Sequence, residues 1–156
     1  MDVTIALALH VLSIVLWIGG AGFATMALLP ALRTVRDTEQ RIATFQAVEH
    51  RFAPVARASV IVAGVTGLYM VYRLDAWNWF TMASFWWMHA MVLVWVLFAA
   101  LLFIVEPFIV HRHFATRARA APDAMFRRMQ VLHWVLVTLA LITIVGAVAG
   151  SRGMFG

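Results

Sequence analysis

The sequence predicts an all-α integral membrane protein, a four-helix bundle that runs up, down, up and down. Three observations carry that expectation. Hydrophobic residues fill 64% of the 156 positions and charged residues only 12%, whereas a soluble domain has about a quarter of its residues charged. The mean hydropathy is +0.91. Four apolar runs, Val3–Leu32, Phe52–Tyr72, Phe80–Val110 and Met129–Gly150, each reach the roughly 20 residues that a helix rising about 1.5 Å per residue needs to cross the hydrocarbon core. No Pro-, Gly- or Ser-rich stretch divides them, so a single four-span domain over residues 1–156 is expected.

The first run has no basic segment before it, with Asp2 as its only early charge. It is also too long for a cleavable signal, so it is expected to remain as a helix. After Pro30, Asp37 can cap a second helix, in which Ile42, Phe45, Val48 and Phe52 recur at helical spacing. That helix should start outside the membrane and enter it near Pro54, where a missing amide and a ring clash predict a bend. A short aromatic turn, DAWNWF, leads into the third run, and Pro122 with Asp123 marks the start of the fourth helix.

All 12 basic residues are arginine. Arg33, Arg36, Arg41 and Arg51 lie between runs one and two, and Arg112, Arg117, Arg119, Arg127 and Arg128 between runs three and four. Only Arg73 and Arg152 belong to the other side. The positive-inside rule therefore places both termini on the outer, periplasmic side of a bacterial inner membrane. The pI near 11.3 would suit a nucleic-acid binder, but these arginines sit in short loops between apolar runs, where lipid headgroups are the expected partners. Trp77, Trp79, Trp86 and Trp87 fit an outer aromatic belt. With no cysteine, disulfides, thiolate catalysis and cysteine-held metals are excluded.

His10, His50, His89 and His133 fall one to a helix. His10 and His89 come at similar depth in runs one and three, roughly 10–13 Å below the outer edge of the apolar slab. His50 and His133 approach one another near the inner face. In an up-down bundle, helices one and three are diagonal, as are two and four, and diagonal helices can hold a flat ligand between them. Two imidazoles at one height are what a bis-histidine haem requires. His10–His89 is thus the expected ligand pair of an outer haem b, and His50–His133 that of a second, inner one. The plainer alternative for each histidine is a hydrogen bond to a neighbouring helix. His111 and His113 are expected at the interface.

Arg57 shares a face with His50 inside an apolar run. It calls for an anionic partner, either Glu106 or, together with Arg51 and Arg128, the haem propionates. Trp17, two turns after His10, is a cofactor-contact candidate, with packing as the plainer expectation. Gly19, Gly20, Gly22, Gly64 and Gly67 thin their helices for close approach of a backbone or a macrocycle. Met70, Met82, Met88 and Met91 could suit copper(I), but they are spread without a repeated spacing and are expected to pack.

The segment "ALHVLSIVLWIGG" resembles the first-helix signature of the copper-resistance D (CopD-like) membrane family, a histidine followed seven residues later by tryptophan and then glycines. "RFAPVARASVIVAGVTGLY" is similar to that family's second helix. The related bacterial four-helix protoporphyrinogen oxidases are similar in the first helix and in a W-x-H-x-K motif of the third. Here that motif reads Trp87-Met88-His89-Ala90-Met91, so methionine stands where the motif has lysine. Three classes of function follow: the four histidines at paired depths point to a b-type cytochrome linking a quinone or membrane dehydrogenase to an external carrier, while the resemblance implies a haem-synthesis oxidase or a copper-handling permease. The cytochrome is the expected one, with one or two haems. Its expected partners are the lipid bilayer and a quinone or redox protein, and the sequence leaves open whether the bundle forms a homodimer or joins a larger membrane complex.

Overall fold

The structure is a computed structural model that describes residues 2–154, with the side chains of 109–113 outside the described set. It contains four helices long and apolar enough to cross a membrane, and no strand among the described residues. Helix α1 spans Val3–Thr34 and α2 spans Thr38–Arg73. Helix α3 is a continuous rod over 86–120, built from Trp86–Ala100, Leu101–Val110 and His111–Ala120. Helix α4 spans Pro122–Ser151.

Local chemistry explains most of the ends. The Asp37 carboxylate accepts the Glu39 N–H at 2.9 Å and caps α2, satisfying a donor with no partner inside the helix. Beyond α2, Asp75 turns the chain in the left-handed region at φ 48°, which a short polar side chain tolerates better than most. Pro122 opens α4, at a position where its missing N–H costs nothing. The third run departs from expectation. At its head stand two 3₁₀ turns, Ala76–Thr81 and Ala83–Phe85, and α-helix begins only at Trp86. The cause is aromatic crowding and a local bond: Trp79 stacks on Phe85 at 4.8 Å, and the Thr81 hydroxyl donates to Asn78 O at 2.7 Å.

Three prolines lie inside helices, and they behave differently. Helix α2 runs through Pro54 as one uninterrupted α-helix, without a break at the expected bend. In α1, the stretch Ala24–Leu28 widens to π-helix, with the Leu29 N–H reaching Ala24 O. Thr25 O has thereby lost its α-helical donor, and the next residue in line, Pro30, has no N–H. Gln130 of α4 fills the vacancy, its Nε2 donating to Thr25 O at 2.6 Å. The same device recurs in α3. Leu101–Val110 is π-helical and contains Pro107, five residues beyond Leu102, whose carbonyl accepts Arg57 Nε of α2 at 3.2 Å.

All four helices contribute to two layers of core. One contains Trp17, Val60, Ala63, Val94, Phe98, Leu136 and Ala140. The other contains Leu29, Leu32, Ile42, Phe45, Phe114, Ala118 and Phe126. Only 17–28% of each helix's most apolar window is buried within the bundle. Val15, Leu68 and Val145 are among the many large apolar side chains left on the outside. A surface of that kind requires an apolar solvent, as a lipid bilayer supplies.

Two ion pairs tie α2 to the helices beside it at this end. Arg41 is buried, donates to Asp123 at 2.8 Å and to Val35 O at 2.8 Å, and lies 5.4 Å over the Phe126 ring. Arg119 pairs with Glu39 at 2.6 Å in the open and holds that carboxyl below its ordinary range through the hydrogen bond.

Candidate functional site

His10 is held by α2. Its Nδ1 lies 2.9 Å from Ala63 O and 3.1 Å from Thr66 Oγ1. The Thr66 hydroxyl donates to Val62 O at 2.6 Å, so it faces His10 as an acceptor. Both partners of Nδ1 are therefore acceptors, which assigns the proton to Nδ1 and leaves Nε2 with a bare lone pair. Gly67 makes room for the ring: a methyl group there would sit 3.2 Å from His10 Cε1. Sequence reading gave Thr66 no role at the site.

His133 shows the same polarity in a local form. Its Nδ1 lies 2.9 Å from Met129 O, one turn back in α4, again leaving Nε2 free. His89 is exposed, with its ring edge-on to Phe80 at 5.4 Å between centroids. His50 is exposed on α2. Among the described residues no contact joins His10 to His89 or His50 to His133. Nor do three His, Asp or Glu side chains converge there as a three-ligand metal centre would need. The side chains of His111 and His113 lie outside the described residues.

Arg57 takes the carboxylate alternative. Its Nη2 pairs with Glu106 Oε1 at 2.6 Å, with the two side chains 34% and 13% exposed. Most of that pair is withdrawn from the surroundings, so each charge depends on the other. Arg51 and Arg128 are exposed and free to reach an anion. Trp17 is buried in the core with its ring edge on Phe98 at 4.9 Å. Met88 is buried and Met82 exposed.

The glycines divide by neighbour. A side chain on Gly20 would run into the Phe52 ring and one on Gly64 into Trp95, whereas Gly19 and Gly22 face open space. Aromatic side chains occupy the close approaches. Two polar groups in the spans, Glu49 and Gln130, were also missed by sequence reading, and each carries a buried oxygen without a hydrogen-bond partner among the described residues. No family model matches this chain, and neither does any curated protein or solved structure.

Proposed function

We propose that this chain is a b-type haem protein of the bacterial inner membrane, passing electrons between a quinone or membrane dehydrogenase and an external carrier, with His10 and His89 as axial ligands. The observation that carries the proposal is the state of His10. A ring nitrogen bound to a backbone carbonyl orients an imidazole and raises its basicity, and this is how proteins present the other nitrogen to a metal. Ala63 O and Thr66 do this for His10 within a membrane helix, and Nε2 would be the atom that holds the iron.

Level supports the partner. Gly64 meets Trp95, and Gly67 meets His10. Counting from those contacts at about 1.5 Å per residue puts His89 about 4.5 Å outward of His10. Gln130 meets Thr25, and Gly146 meets Trp86. Counting by that route puts His89 about 3 Å inward of His10. The two counts straddle a common height. The same neighbours favour the up-down-up-down order, since Gly20 meets Phe52 while His10 meets Gly67.

Haem held by His10 and His89 would supply one-electron chemistry, which is electron transfer without oxygen activation. The chain's part is to orient the His10 ring, exclude water with its apolar spans and compensate charge. Arg57 already serves Glu106, so Arg51 and Arg128 remain for propionates at an inner site, where His133, its Nδ1 bonded to Met129 O, and His50 would be the ligands.

A second reading is favoured by the same bonds: His10 is a structural tie between α1 and α2, worth about 0.6–2 kcal/mol. The pyridine haemochrome spectrum of the purified protein, with metal analysis, separates the two. His10→Ala and His89→Ala should each remove one haem's absorbance while the chain still inserts. Unchanged haem content in both would leave the tie alone standing, and bound copper without haem would move the assignment to the copper-handling class. A stoichiometry of two haems per chain that falls to one in His133→Ala would establish the inner site.

A further inference from the structure

Helix α4 carries no Asp, Glu or Arg between Arg128 and Arg152. That uncharged stretch matches the roughly 20 residues of a bilayer crossing. Arg127 and Arg128 therefore stand at one edge of the hydrocarbon, and Val131, Leu132 and Val135 lie just inside it. These five side chains line a groove of about 400 Å³ on the surface of the bundle. Helical spacing explains its shape. Arg127, Val131 and Val135 follow one another in steps of four, Arg128 and Leu132 do the same on the next ridge, and the groove runs between the two. From Arg127 to Val135 it extends about 12 Å along the helix. Its apolar walls are bare, with Val131 58%, Leu132 46% and Val135 52% exposed, whereas Phe126, Gln130 and Val137 of the same helix turn to the core.

The two guanidiniums at the mouth of the groove are not neutralised. Arg41, Arg57 and Arg119 each have a carboxylate, but among the described residues no carboxylate pairs with Arg127 or Arg128. Arginine matches the oxygens of a phosphate group in geometry as well as charge. We infer that this groove binds one anionic phospholipid, with the phosphate on Arg127 and Arg128 and an acyl chain along Val131, Leu132 and Val135. Charge selects that occupant. A choline headgroup would bring a third cation beside the two arginines. A second copy of the chain, related by a two-fold axis along the membrane normal, would set its own arginines against these. General attraction of basic residues to anionic lipid needs no groove, whereas here the same five residues supply both the charge and the acyl slot. The site does not rest on the haem reading. The two compete for Arg128, and bound lipid is measured without haem absorbance, so either can fail alone.

The test is native mass spectrometry of the full-length protein in detergent, titrated with palmitoyl-oleoyl phosphatidylglycerol or with phosphatidylcholine of the same chains. The first phosphatidylglycerol should reach severalfold higher occupancy than phosphatidylcholine at equal concentration. All five lining residues are exposed, so substitutions there leave the core intact. Arg127→Gln with Arg128→Gln should abolish the preference. Leu132→Trp fills the slot without changing charge and should lower phosphatidylglycerol occupancy severalfold. Arg33→Gln with Arg36→Gln removes as much charge elsewhere and should leave the preference unchanged. Equal occupancy by the two lipids, or a preference that survives the double change at Arg127 and Arg128, overturns the site. A preference lost equally in the Arg33 and Arg36 variant, or binding unaltered in Leu132→Trp, also overturns it, by showing diffuse attraction in place of a groove.

Discussion

Four of the polar side chains within the spans reach backbone carbonyls of other helices. His10 takes Ala63 O, Trp95 takes Val60 O, Arg57 takes Leu102 O and Gln130 takes Thr25 O. Where lipid replaces water, each such bond satisfies a side-chain donor, and at Thr25 and Leu102 it also satisfies a carbonyl left without its helical donor. It also fixes the register of one helix against the next. The ion pair of Arg57 with Glu106 makes the sharpest prediction at this scale. Glu106→Gln leaves the guanidinium without its counter-charge and should destabilise the protein by about 3–5 kcal/mol, read as a lowered thermal midpoint in detergent. The double variant Arg57→Met with Glu106→Leu should recover most of that loss, because two apolar side chains of similar volume need no partner. A double variant as unstable as the single one would mean that Arg57 is held by something other than its charge. The exposed pair of Glu39 with Arg119 is the opposite case. Its contribution is present above the ordinary glutamate range and is lost as pH falls through the lowered value of Glu39, and exposure keeps it small.

A helix tolerates an internal proline when another element supplies the missing donor. In α1 and α3 the chain widens by one residue per turn ahead of Pro30 and Pro107, and a side chain from another helix reaches the carbonyl left over. This predicts a coupling. Gln130→Leu alone should cost about 2 kcal/mol by orphaning Thr25 O. In a Pro30→Ala background, where a backbone N–H is available again, the same substitution should cost clearly less, and equal costs in the two backgrounds would contradict the shared role. Close approach predicts a second contrast. Gly20→Ala drives a methyl into the Phe52 ring and should lower stability by about 1–3 kcal/mol, whereas Gly19→Ala faces open space and should be near neutral. Helix starts that rest on local chemistry were legible in the sequence: the cap at Asp37 and the proline at the head of α4. The π-helical turns were not, because Pro30 reads as the beginning of a loop and Pro107 sits unmarked in an apolar run. Pro54 reads like a kink, yet it leaves α2 unbroken. A proline constrains its own turn, and whether the helix widens there depends on the donor that a neighbouring helix offers.

At the scale of the whole molecule, the number of crossing helices was legible because length and hydropathy alone set it. Which histidine faces which helix was not. These spans are apolar nearly all round, so hydropathy marks no inward stripe for a side chain to follow. The depth of His10 along α1 could be counted, but its bond to Ala63 depends on the rotation of α1 about its axis, which only packing decides. Orientation in the bilayer depends on something else again, the distribution of arginine. Each basic residue near the cytoplasmic leaflet gains about 1 kcal/mol from anionic lipid, and acidic neighbours contribute little to the bias. Arg41 and Arg119 therefore still count, although each is paired with a carboxylate. With Arg73 and Arg152 alone opposing the two arginine-rich loops, both termini should face outward. Alkaline phosphatase, which is active only outside the cytoplasm, should be active when fused after Gly156 and inactive when fused in the turn between α1 and α2. Replacing Arg117, Arg119, Arg127 and Arg128 together with glutamine should lower the C-terminal fusion's activity as part of the population inverts. Activity at the α1–α2 turn with none at the C-terminus would reverse the assignment, and the side of the membrane nearer His10 with it.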